Sequence, residues 1–256
     1  MSRGLGDVYK RQVIYAVQFL AAMVGKKFVP GVMADANGSF ILLMLTMYGI
    51  SMPFMGWLVS RIPAQKIEER KMTAGQWIIA FLMCYGLMYA GNLIGTALTF
   101  GIGMVKGTGV DNPLVSTVMQ LNPWVTFVIA VLIAPTAEEL LFRKLLTERI
   151  VKYGELAAVL ASGLFFGLFH GNLNQFSYAF LLGLFLGFIY VKTGKLRYTI
   201  GLHMAINFIG SSLGTWMLRV TGYMDTMETL TKFLNTKDLT VLADLGNGIV
   251  GMFIFG

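Results

Sequence analysis

Apolar runs of membrane-spanning length recur along this chain, separated only by short clusters of charged and turn-forming residues, and this pattern constrains its fold more than any other feature. A helix needs about 20 apolar residues to cross a bilayer. Eight such segments are read at 13–33, 39–60, 76–102, 122–146, 155–172, 175–192, 197–218 and 240–256. The runs are continuous and do not alternate every second residue, so they predict helices rather than the strands of a barrel. The expected fold is therefore all-α, a polytopic membrane bundle of about eight helices. Only 13% of the 256 residues are charged, about half the soluble average, which leaves no room for a large domain outside the membrane. Residues 13–256 are accordingly read as a single membrane domain.

Residues 1–12 are polar and lack the apolar core and small-residue cleavage site of a secretory signal. The stretch Asp7-Val-Tyr-Lys-Arg-Gln12 resembles a translated sequencing adaptor, so this tail is expected to be a scar, and the apolar run stopping at Gly256 is expected to be a span cut short. The lone cysteine, Cys84, excludes an internal disulfide and lies in an apolar run, where it reads as a small buried hydrophobe.

The net charge of +7 would suggest nucleic acid in a soluble protein. Sorted by alternate loops, however, Lys and Arg concentrate in the N-terminal tail and in the 61–75, 144–155 and 192–197 loops. They outnumber those at Lys26, Lys27, Lys106, Arg219, Lys232 and Lys237 on the other side. By the positive-inside rule this predicts a multi-pass cell-membrane protein with a cytoplasmic N-terminus and no nucleic-acid partner. Gly163, Gly167 and Gly171, and then Ala179, Gly183 and Gly187, fall at intervals of four and predict close helix contacts. The 219–239 stretch is expected to be an outer loop.

Ionisable side chains inside a span each cost about 2.5–3.5 kcal/mol near the helix centre and need a partner or a function. The few present here cluster. The fourth span carries Pro135-Thr-Ala-Glu138-Glu139-Leu-Leu-Phe-Arg143, the fifth carries Phe166-Gly-Leu-Phe-His170, and the seventh carries His203-Met-Ala-Ile-Asn207. Glu139 and Arg143 share a helix face and predict a salt bridge. Thr136 and Glu139 also fit a capping box that would restart the helix after Pro135. Glu138 points about 100° away and has no local partner, which makes it the better candidate for chemistry. At 1.5 Å per residue, Glu138, His170, His203 and Asn207 lie about 9 to 22 Å from the expected cytoplasmic ends of their helices, so three helices can bring them to one level.

A carboxylate and an imidazole facing one water form a general-base pair, and a second imidazole with an amide one turn away can stabilise an oxyanion. Glu138 with His170, and His203 with Asn207, fit those roles in amide hydrolysis without a covalent intermediate. The bland alternative is a non-catalytic membrane protein, an immunity factor or scaffold, whose polar cluster only joins helices. A third reading has one Glu and two His hold zinc.

Glu-Glu-x-x-x-Arg, Phe-x-x-x-His and His-x-x-x-Asn, in this order on successive membrane helices, resemble the CAAX protease and bacteriocin-processing family. These are glutamic intramembrane proteases that include the type II CAAX prenyl endopeptidases. The resemblance covers about residues 122–218. It implies that Glu138 and His170 activate water, that His203 and Asn207 form the oxyanion hole, and that Glu139, Arg143 and Phe166 support the site. It also implies no cofactor, a hydrophobic or lipidated peptide substrate, and a site within the bilayer open to the cytoplasm.

Overall fold

The computed structural model describes residues 5–107 and 113–220, together with the single positions 229 and 236. Among the described residues the chain is helical throughout and contains no strand. Seven longer helical units follow in order, with short helices at Pro30–Ala34 and Pro113–Gln120 between them: α1 (Leu5–Phe28), α2 (Ala36–Ser60), α3 (Ala74–Lys106), α4 (Pro123–Tyr153), α5 (Glu155–Phe169), α6 (Leu173–Thr193) and α7 (196–220). Four of them, α2, α3, α4 and α6, are long and apolar enough to cross a membrane, whereas α5 is shorter but equally apolar. The fold is a helical membrane bundle, and seven of the eight expected spans coincide with these units. The eighth, at 240–256, and, apart from the single positions 229 and 236, the outer loop beyond Val220 lie outside the described residues.

Local sequence explains the helix ends. Thr73 and Gln76 form a reciprocal capping box that starts α3, and Gly107, at φ +67°, ends it. Asn172 accepts from the Asn174 amide and starts α6, which closes at Gly194 with φ +61°.

The small-residue stripes join the bundle's centre. A Cβ at Gly163 would stand 2.9 Å from the Leu184 backbone nitrogen, one at Gly183 would stand 3.0 Å from Gly163 Cα, and one at Gly187 would meet Ser162 at 3.1 Å. These positions let α5 and α6 pack almost backbone to backbone. A second small-residue seam, absent from the sequence reading, binds the other face of α6. There, a Cβ at Gly91 of α3 would lie 2.3 Å from Tyr178 Cα, and one at Gly95 would lie 2.5 Å from the Asn174 carbonyl. Helix α6 is thus held between α3 and α5. Gly171 departs from the expectation: it lies beyond the end of α5 at φ +64°. It makes the turn after His170 and takes no part in the stripe.

The loops sort into two ends. At one end the extended 61–73 segment crosses the bundle, with the Gln65 amide bonded to the Glu148 carbonyl (2.7 Å), the Arg70 amide to the Thr193 carbonyl (2.8 Å) and the Met72 amide to the Tyr198 hydroxyl (3.1 Å). Lys192 pairs with Glu155 at the same end. At the other end the Asn122 amide donates to Asn37, and Arg219 donates to the Met119 and Leu121 carbonyls. The loops rich in Lys and Arg therefore share one end of the molecule.

Candidate active site

The polar groups of α4, α5 and α7 meet in the middle of the bundle, and the backbone of α4 determines how. Pro135 has no amide hydrogen and would break a regular helix. Here a π-helical turn, Phe127–Ile133, precedes it and a second, Leu140–Thr147, follows, so the helix runs on with six α-helical residues, Ala134–Glu139, between them. This corrects the expected capping box. The Thr136 hydroxyl instead donates to the Leu132 carbonyl at 2.7 Å, and no helix restarts at Pro135.

Glu139 and Arg143 are both fully buried, with Arg143 Nε 3.0 Å from Glu139 Oε2, as their i,i+4 spacing predicted. The approach is an ion pair and not a well-aligned hydrogen bond, and both Nη atoms of Arg143 are buried without a hydrogen-bond partner. The guanidinium lies over the Phe166 ring, 4.8 Å from its centroid, which supplies part of the compensation. Phe166, 1% exposed, is the hub of the site. Its ring meets His170 at 5.0 Å, His203 at 5.4 Å and Phe142 at 5.3 Å, each edge to face.

The other oxygen of Glu139 faces α7. His203 Nδ1 stands 2.9 Å from Glu139 Oε1, and His203 Nε2 stands 3.8 Å from Glu138 Oε2. One imidazole thus lies between the two adjacent carboxylates. A carboxylate only accepts, so Nδ1 carries a proton in the bond to Glu139. One turn on, the Asn207 amide nitrogen donates to the Ala130 carbonyl at 2.8 Å, in the π-helical turn of α4, and keeps its second hydrogen for another acceptor. Asn207 is itself followed by a π-helical turn, Phe208–Leu213.

His170 caps the end of α5, where its Nδ1 lies 2.9 Å from the Phe166 carbonyl. That carbonyl accepts, so Nδ1 holds the proton and Nε2 is left as an acceptor. His170 shares the aromatic box of Phe166, Phe169 and Tyr178. Among the described residues no group of three or more His, Cys, Asp and Glu side chains converges as a metal-ligand set.

The sequence reading missed the partner of Glu138. The Tyr48 hydroxyl of α2 donates to Glu138 Oε1 at 2.9 Å, across 90 residues of sequence. Tyr48 lies in a further π-helical turn, Met47–Ser51. It packs on the cluster of Met52, Leu141, Phe142, Phe166 and Ala179, and also lines an apolar cleft of about 640 Å³ between α2 and α4 that includes Met44, Trp124, Ile129 and Ile133.

A family model described as type II CAAX prenyl endopeptidase Rce1-like matches residues 120–209. The matched segment contains all three motifs and runs from the start of α4 into the π-helical turn of α7, in agreement with the resemblance those motifs carry. No curated protein and no solved structure matches the chain.

Proposed function

We propose that this chain is an intramembrane peptidase that hydrolyses a peptide bond in a membrane-associated or lipidated peptide through a Glu138-activated water. The similarity of residues 120–209 to the type II CAAX prenyl endopeptidases supports a peptidase. The observation that carries the mechanism is the buried pairing of Glu138 with His203 Nε2 at 3.8 Å, a gap bordered by α4 and α7 with Asn207 one turn further on.

In this reading Glu138, 5% exposed, takes a proton from water as the oxygen adds to the substrate carbonyl, and then passes it to the departing amine as the C–N bond breaks. His170 helps hold the water through Nε2. His203 and the second amide hydrogen of Asn207 stabilise the oxyanion. Because His203 Nδ1 is committed to Glu139, Nε2 donates only when the ring carries both protons. The oxyanion role therefore requires an imidazolium, and Glu139 is the group that balances its charge. This assigns Glu139 a definite task beside its salt bridge to Arg143. The apolar cleft that Tyr48 helps to line suits a substrate with a hydrophobic or lipid tail. We place the basic end of the bundle, and access to the site, on the cytoplasmic side.

The test compares membrane-associated peptide ends in cells carrying the wild type and Glu138→Gln. The variant inserts and folds but cleaves about 100- to 10,000-fold more slowly, the range a general base contributes. Wild-type cleavage in Glu138→Gln would reject the mechanism, and an intact cellular phenotype without cleavage would favour a scaffold.

A further inference from the structure

The polar residues of the matched segment leave one oxygen of Glu138 unaccounted for, and α2 supplies the answer from outside that segment. Glu138 Oε2 faces His203, whereas Oε1 accepts the hydrogen bond of Tyr48 at 2.9 Å. We infer that Tyr48 is a positioning residue for the base: its hydroxyl fixes the carboxylate so that Oε2 is the oxygen left to take the proton from water. The inference rests on the assignment of Glu138 given above and deepens it.

Three observations support it. First, the bond joins two partly or fully buried groups in an apolar bundle, where an unpaired carboxylate oxygen is costly and a donor to it is correspondingly strong. Second, the Tyr48 ring packs on the core cluster that contains Phe142 and Phe166, which holds it beside Glu138, while its other side borders the α2–α4 cleft. Third, the π-helical turn at Met47–Ser51 widens α2 at this residue, a deviation found frequently at functional sites. A tyrosine that merely filled space would require none of this, since phenylalanine would pack as well. Helix α2 thereby becomes part of the active site, although none of the three motifs lies on it.

Tyr48→Phe keeps the ring and removes the donor. With a farnesylated CAAX peptide and purified protein in lipid nanodiscs, kcat is expected to fall about ten- to a hundredfold, the cost of mispositioning a reacting group. KM is expected to stay at its wild-type value, and thermal stability to fall by no more than the loss of one buried hydrogen bond. Wild-type kcat, or a rise in KM with kcat unchanged, overturns the inference. A second measurement needs no substrate. The infrared carboxylate band that disappears in Glu138→Gln is expected to shift in frequency in Tyr48→Phe, and an unshifted band overturns the inference. The two readings fail separately: cleavage that survives Glu138→Gln rejects the base itself, whereas loss there with full activity in Tyr48→Phe rejects only the role of Tyr48.

Discussion

Arg143 is the most demanding residue in the bundle: a fully buried guanidinium with one carboxylate, one aromatic face and two unpartnered nitrogens. Breaking a buried ion pair on one side leaves an uncompensated charge and costs about 3–5 kcal/mol, whereas replacing both partners with uncharged groups of similar volume is often close to neutral. Arg143→Met is therefore expected to lower stability by about 3–5 kcal/mol, and Glu139→Gln with Arg143→Met to recover most of it, as measured by denaturant unfolding in detergent. Equal losses in the two would instead assign the stability to the stacking of the guanidinium on Phe166. The double variant is still expected to be a poor enzyme, because Glu139 also holds His203. The spacing of Glu139 and Arg143 made their pair legible in the sequence, since helical geometry alone brings i and i+4 together. The partner of Glu138 was not legible. Tyr48 lies 90 residues upstream, and a tyrosine in an apolar run looks like any other aromatic in a membrane helix.

At the level of elements, the π-helical turns are what the sequence concealed. They occur at 47–51, 127–133, 140–147 and 208–213, and each adjoins a residue of the site: Tyr48, the Pro135–Glu139 segment on both its sides, and Asn207. Such turns form when an extra residue is accommodated in a helix without breaking it, and no residue type marks them. The reading of Pro135 as a helix break failed for this reason, because the turn ahead of it absorbs the missing hydrogen bond. The long apolar helices themselves were legible because their lengths follow from bilayer thickness, and the α5–α6 seam because small residues at every fourth position can serve little else. The role of the 127–133 turn is open to test. Deleting Val128 removes the extra residue, so regular α-helix is expected to form with Glu138 keeping its angle, while the Ala130 carbonyl returns to the α-helical ladder. Cleavage should then be lost, and so should the contact of Asn207 with the Ala130 carbonyl, while the helical content measured by circular dichroism stays unchanged. Full activity in the deletion variant would mean that the turn is not needed to hold Asn207 at the site.

For the molecule as a whole, the relevant fact is that the basic loops are physically tied together at one end. Gln65 is bonded to Glu148, Arg70 to Thr193, and Lys192 to Glu155. The sequence sorted these loops by charge alone, and the bundle gathers them by contact. If that end faces the cytoplasm, insertion follows the excess of Lys and Arg, as the proposed cytoplasmic access to the site requires. Orientation can be measured directly, because the one cysteine is fully buried in the bundle. In a Cys84→Ser background, Lys66→Cys in the extended 61–73 segment should resist a membrane-impermeant thiol reagent in intact cells and react once the membrane is opened. Trp124→Cys, exposed near the opposite end, should react in intact cells. Labelling of Lys66→Cys from outside would invert the molecule and overturn the proposed cytoplasmic access, and with it the lipidated cytoplasmic chains as candidate substrates, while leaving the hydrolytic geometry intact.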